Sequence, residues 1–194
     1  MARLHLLAAI PLAALLLFGC GDDDSPVPTP PGGTPTAEAT STPFEGDTAP
    51  VTATAPAGLE AALLEDVRAA SHEGYDRIVF EFEGTGVPGY RVEYTSEAIA
   101  CGSGEDRATE LGEGTVPAAI LLVQMQPANA HTEEGVATVP LRIDPNLSAL
   151  RAALLTCDFE ADVTYHLALT AEQPFAVSVL DNPPRLVVDI ANDE

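Results

Sequence analysis

The chain has 194 residues, room for one domain with tails. It carries 30 acidic residues against eight arginines and no lysine, for a formal net charge of −22. Such a chain is repelled by nucleic acid and by anionic headgroups, which excludes nucleic-acid binding, and without lysine it has no Ser-Lys or Schiff-base chemistry.

Residues 1–19 open with Arg3 and continue from Leu4 to Phe18 as a mainly apolar run interrupted by Pro11. A retained bilayer span needs roughly twenty apolar residues. The layout is instead that of a secretory signal peptide, with a basic start, an apolar middle and small residues at the cut. Leu17-Phe18-Gly19-Cys20 closes the run and resembles the lipobox of bacterial lipoproteins. That resemblance implies that Cys20 carries diacylglycerol and becomes the first residue of the mature chain. It places the protein on the outer face of the bacterial cytoplasmic membrane. Acyl chains, at about 0.8 kcal/mol per buried methylene, then supply the affinity for the membrane that the protein's charge opposes.

Residues 20–58 read as a disordered tether. The stretch is dense in Pro, Thr and Asp, and its only large apolar residues are Val27, Phe44 and Val51. It buries too little surface to offset the entropy of ordering, and its prolines extend it into a spacer. Its Thr-Pro density also suits O-glycosylation. Asp22-Asp23-Asp24 reads as a solvated part of this spacer rather than a metal site.

The folded part is expected over residues 59–194. Leu59 to Arg68 fits helix by composition and strand by alternation. Ser71 to Asp76 reads as a turn around Gly74. In Arg77 to Glu83 the residues Ile78, Phe80 and Phe82 share one face and Glu81 and Glu83 the other, a half-buried strand. Tyr90 to Tyr94 repeats the alternation, so the two runs are expected as a hairpin or as neighbours. Residues 96–115 are polar and Gly-rich. Ala118 to Met125 is nearly all apolar, as in a strand buried on both faces. Val139, Leu141 and Ile143 alternate beside Pro140, which suits an edge. Asp144-Pro145-Asn146 reads as a turn, with Asn146 capping a short helix over Leu147 to Leu155. Val163 to Leu169, Phe175 to Val179 and Leu186 to Ile190 alternate again. About eight strands and one helix predict an all-β fold, an antiparallel β-sandwich.

With Cys20 set aside for lipid, Cys101 and Cys157 remain, in a compartment where disulfides persist. A bridge closing so long a loop stabilises by roughly 4 kcal/mol. A zinc site needs three or four ligands at short spacing, and these two cysteines lack such company.

Gly74-Tyr75-Asp76-Arg77-Ile78-Val79-Phe80-Glu81-Phe82 near the start and Asn182-Pro183-Pro184-Arg185-Leu186-Val187-Val188-Asp189-Ile190 at the end recur as a pair of motifs. With Cys101-Gly102-Ser103-Gly104 and Thr156-Cys157-Asp158-Phe159-Glu160, they resemble the AMIN-like domain of bacterial lipoproteins, from about Leu63 to Ile190. The closing Pro-Pro-Arg-Leu-Val-Val-Asp is also similar to the end of the AMIN domain. That domain is a β-sandwich which directs wall amidases and secretins to peptidoglycan or the division site. The resemblance implies a binding and localising module rather than an enzyme, with peptidoglycan or an envelope protein as partner.

Read from the residues themselves, Arg77 and Arg185 each begin a strand, with Val at the second position on and an acid at the fourth. Each arginine either pairs with a nearby carboxylate of the protein or, with Arg91, grips a ligand carboxylate, for which the guanidinium fork is suited. Tyr75 is the candidate aromatic contact for carbohydrate. No Gly-x-Ser-x-Gly elbow, paired-His zinc helix or twelve-residue calcium loop occurs, and no cofactor signature is present. His72, His131 and His166 are far apart, and His166 alternates outward from Tyr165, which predicts a surface position. Glu81 and Glu83 read as a solubilising pair rather than glycosidase acids.

Overall fold

The computed structural model describes residues 44–192. The signal, Cys20 and residues 20–43 of the expected tether lie outside the described residues. Eleven strands and one four-residue helix follow in order: β1 (Val51–Ala53), β2 (Ala62–His72), β3 (Tyr75–Phe82), β4 (Gly89–Thr95), α1 (Ala108–Leu111), β5 (Ala119–Gln126), β6 (Ala128–Asn129), β7 (Arg142–Ile143), β8 (Leu150–Phe159), β9 (Asp162–Leu169), β10 (Phe175–Leu180) and β11 (Arg185–Ala191).

They form two sheets, a six-stranded one ordered β1-β4-β5-β9-β8-β7 and a five-stranded one ordered β10-β11-β3-β2-β6. Every pairing is antiparallel except the short β2–β6 contact. The expected all-β sandwich is therefore the observed fold. Its core lies between the sheets. Ile78, Phe80 and Phe82 of β3 face Leu121, Val123 and Met125 of β5 and Tyr165 and Leu167 of β9, all fully buried. The Phe80 and Tyr165 rings tilt together at 5.3 Å. The Tyr165 hydroxyl reaches the Pro140 carbonyl at 3.2 Å, and burial raises its pKa.

One polar group joins the layers. Asp76 is fully buried, and its carboxylate accepts the Ala149 and Leu150 N–H groups at 2.7 and 3.0 Å and bonds from Ser71 and Asn192 at 2.9 Å each. Burial alone would raise its pKa, but these donors outweigh burial and hold it below the ordinary carboxylate value. The turn that precedes β8 is thereby pinned to β3 of the other sheet.

Several expectations are corrected. β3 and β4 are neither a hairpin nor neighbours. β3 pairs with β2 and β11, while β4 pairs with β1 and β5 across the sandwich. Gly84 to Pro88 carries the chain from one layer to the other. The ambiguous stretch after Leu59 is strand, and β2 runs on through His72, so the turn narrows to Glu73-Gly74, with Gly74 at φ 83°.

The helix expected over Leu147 to Leu155 does not form. Asn146 adopts φ 52° in a tight turn, and β8 starts at Leu150. Two bulges explain the misreading. Leu150 opposes Leu169 and Ala152 opposes Ala168, so Arg151 is an extra residue. Leu155 opposes Tyr165 and Cys157 opposes Thr164, so Thr156 is another. Each bulge flips the parity of the strand, and the apolar residues lose their period of two. The one short helix is α1, inside the stretch read as a polar loop.

The tether boundary also moves. From Phe44 the chain lies against the domain: β1 pairs with β4, and Asp47 bridges Phe175 through two backbone hydrogen bonds of 3.1 and 2.8 Å.

Candidate functional site

Alternation puts Tyr75, Arg77, Val79 and Glu81 of β3 on the outer face of the five-stranded sheet. The register sets Asp189 opposite Arg77, Val187 opposite Val79 and Arg185 opposite Glu81, with His72, Ala70, Arg68 and Asp66 on the other flank. Tyr75, Arg77 and Arg185 thus share one surface. Arg91, on β4, lies on the opposite sheet and does not join them.

Most of the charge on this surface is already matched. Arg77 grips Asp189 with both arms, Nε to Oδ1 at 2.7 Å and Nη2 to Oδ2 at 2.8 Å. The Asp189 hydrogen bond raises its pKa against the opposing effect of burial. Arg68 bonds Asp66 at 2.5 Å and Glu81 at 2.7 Å. These side chains lie over the sheet, so Val79 and Val187 are only 9% and 1% exposed although they face outward. Arg91 pairs with Glu93 on its own strand. Arg185 differs: its Nε donates to the Pro183 carbonyl at 3.2 Å, and no carboxylate of the described residues pairs with it. Of the three expected ligand-gripping arginines, Arg185 alone keeps its charge uncompensated.

Tyr75 is half-buried rather than open. Its ring stacks on His72 at 4.9 Å, meets Phe44 at 5.9 Å and lies 5.2 Å from the Arg77 guanidinium carbon. A sugar would have to displace one of these neighbours to stack on it.

The opposite outer face, on the six-stranded sheet, carries a second layer. Residues 96–118, including α1, fold over it as a flap. Ala98, Ala108 and Leu111 of the flap pack on Ile120, Ala152, Leu154 and Ala168 in a small separate core. The disulfide between Cys101 and Cys157 joins flap to sheet, as expected from the cysteine count. The bulge at Thr156 makes the bridge possible, because it turns Cys157 outward.

His166 lies under this flap, 2% exposed. The expected surface position is corrected here: the residue alternates outward from Tyr165, but outward on this sheet means beneath a second layer. Its Nδ1 is 2.8 Å from Thr156 Oγ1. Burial lowers its pKa to about 4, against a smaller opposing pull from Asp106. Asp106 accepts the Ala98 and Ala108 N–H groups at 2.9 Å each, and these bonds hold its carboxyl below the ordinary value. Thr156, His166 and Asp106 thus group under the flap, with the imidazole buried and neutral. Among the described residues, no three His, Cys, Asp or Glu side chains are placed to hold a metal ion.

The AMIN-like domain matches residues 62–192, every strand from β2 to β11. The chain belongs to this family. The matched span agrees within two residues with the stretch from about Leu63 to Ile190 over which the sequence resembles that domain. No curated protein and no solved structure matches the chain. AMIN-like domains are in general noncatalytic modules of the peptidoglycan-binding type. In this AMIN-like domain the motif residues have legible structural work: Asp76 joins the layers, and Arg77 with Asp189 ties β3 to β11. Sequence reasoning missed Arg151. It was counted within a helix, and only a broken alternation through β8 could have signalled it.

Proposed function

We propose that this protein is a lipid-anchored, noncatalytic binding module of the bacterial cell envelope. In this reading Cys20 holds it on the outer face of the cytoplasmic membrane and the sandwich recognises peptidoglycan. The observation that carries the reading is the AMIN-like match across the whole sandwich. The lipobox residues Leu17 to Cys20 support the anchor. On the outer face of the five-stranded sheet, Arg185 offers a wall-peptide carboxylate a donor that no carboxylate of the described residues neutralises.

The test is retention of the full chain, in detergent, on isolated peptidoglycan at low salt. Retention is expected, with several-fold weaker retention for Arg185→Gln, and a chain that washes through overturns wall binding. For the anchor, Cys20→Ser moves the protein from the membrane fraction to the soluble one. An unchanged distribution removes Cys20 from the account.

A second reading, an adaptor for another envelope protein, is favoured by the β10 edge. Asp47 takes the outward N–H and C=O of Phe175, and Val177 and Val179 point theirs the same way. β10 carries no charge along its length, and Val179 and Leu180 are 45% and 40% exposed. Such an edge accepts an added strand. Crosslinking from Val179 in cells that captures one protein and no glycan would favour the adaptor.

A further inference from the structure

Seven arginines lie among the described residues. Arg68, Arg77, Arg91, Arg107 and Arg142 each hold a carboxylate. Arg151 and Arg185 hold none. Arg185 lies on an open sheet face, whereas Arg151 borders a concave one. The end of the flap, the turn before β8 and the ends of β8 and β9 enclose a groove of about 440 Å³, bordered by Arg151 and floored by Leu111, Ala152 and Ala168. That size suits a small ligand.

The walls are built rather than incidental. The bulge ejects Arg151 from the ladder pairing, so its side chain is exposed at the groove. Arg142 fixes the far wall. Its Nε bonds Asp144 at 2.7 Å, and its Nη1 donates to the Glu110 and Leu111 carbonyls at 2.8 and 3.1 Å, which ties the flap to the sheet. The flap turns so tightly after Leu111 that a Cβ on Gly112 would stand 1.9 Å from the Thr115 carbonyl oxygen. Two acids border the groove. Asp144 is neutralised by Arg142, and Glu113 is exposed to solvent. Among the described residues Arg151 is the groove's one cation without a carboxylate partner, and the unpaired Glu113 carboxylate stands at the solvent-exposed rim.

We infer that this groove binds the carboxylate end of a short peptide with small aliphatic side chains. Arg151 pairs with the carboxylate, and the Ala152 and Ala168 floor takes the methyl groups. The choice of a wall peptide as source rests on the envelope reading above, whereas the groove's chemistry does not. In a chain of net charge −22, one arginine without a carboxylate partner at a mostly polar groove selects for a single anionic end and against polyanions.

The experiment is a calorimetric titration of the full chain with N-acetyl-D-Ala-D-Ala, its L,L counterpart and the D,D C-terminal amide. The D,D acid is expected to bind at least tenfold more tightly than the amide. Arg151→Gln removes that preference, and Arg68→Gln, on the other sheet and already paired with Asp66 and Glu81, leaves it intact. Ala118→Trp fills the groove from its exposed rim without touching the core and blocks binding. Equal binding of acid and amide, or unchanged binding by Arg151→Gln, overturns the groove. Preference for the L,L acid overturns the wall peptide as source and points to a protein C-terminus. Dipeptide binding by a chain that peptidoglycan does not retain leaves the groove standing and overturns the wall reading alone.

Discussion

On the outer face of the five-stranded sheet, Val79 and Val187 are shielded by charged side chains. On the outer face of the six-stranded sheet, Ile120, Leu154 and Ala168 are shielded by another layer of polypeptide. The first solution is thin. It uses the stems of Arg68 and Arg77 and the carboxylates that hold them, and it leaves the surface wet and open to a partner. The second makes a new interior, and with it a place where a histidine stays neutral. A flap whose only helix has four residues cannot fold by itself. It is held from outside, by the disulfide at one end and by Arg142 at the other.

This contrast can be broken first at the disulfide. Replacing Cys101 and Cys157 by serine should lower stability by roughly 4 kcal/mol. Amides of the flap around Ala100 and Gly104 should exchange much faster, with those of β3 and β11 still protected. Denaturant unfolding and hydrogen exchange measure the two effects, and equal loss of protection on both faces would show that the flap is no separate layer.

The next effect is on pH. His166 has a folded pKa lowered to about 4, against about 6.5 in the unfolded chain. Between these values the unfolded chain takes up a proton that the fold resists. Stability is therefore full above about pH 6.5, falls by about 3 kcal/mol as the pH drops toward 4, and adds no further loss from this group below that. His166→Gln should flatten this part of the profile, and denaturant midpoints from pH 7 to 4 would reveal it. A wild-type curve no steeper than the variant's would mean the imidazole is not sealed.

The smallest effects belong to the charged face. Arg77→Gln breaks a two-armed, part-buried pair and should cost about 1 kcal/mol, with Arg68→Gln nearer 0.5, both shrinking in high salt. A loss from Arg77→Gln that matched the disulfide's would mean that this face, too, is held by single strong ties.

Legibility in the sequence followed the same division. Strands with one uniformly apolar face toward the main core announced themselves: Ile78, Phe80 and Phe82, then Val163, Tyr165 and Leu167, then Leu186, Val188 and Ile190. The period of two survives where each face has a constant environment. It fails in β8, where two bulges reset the parity and apolar residues serve two cores, so Leu147 to Leu155 imitates a helix. The candidate site divides likewise. Arg77 and Arg185 stood out because each opens a clear strand, but each faces a carboxylate across the ladder, and Glu81 opposite Arg185 is held by Arg68 of the next strand. Arg151 was hidden because the broken alternation that marks its bulge also fits a helix.

By itself, then, the amino-acid sequence determined the all-β class and the pairing of Cys101 with Cys157. Each rests on alternation, composition or a count, which are properties of the chain taken alone. Only the tertiary structure decided that β3 and β4 belong to different sheets, that His166 is covered, and that Arg77 is matched while Arg151 and Arg185 have no carboxylate partner among the described residues. Strand partners and burial are set by residues distant in sequence, whose contacts compete for the same edges and faces, and no local pattern records which contact wins.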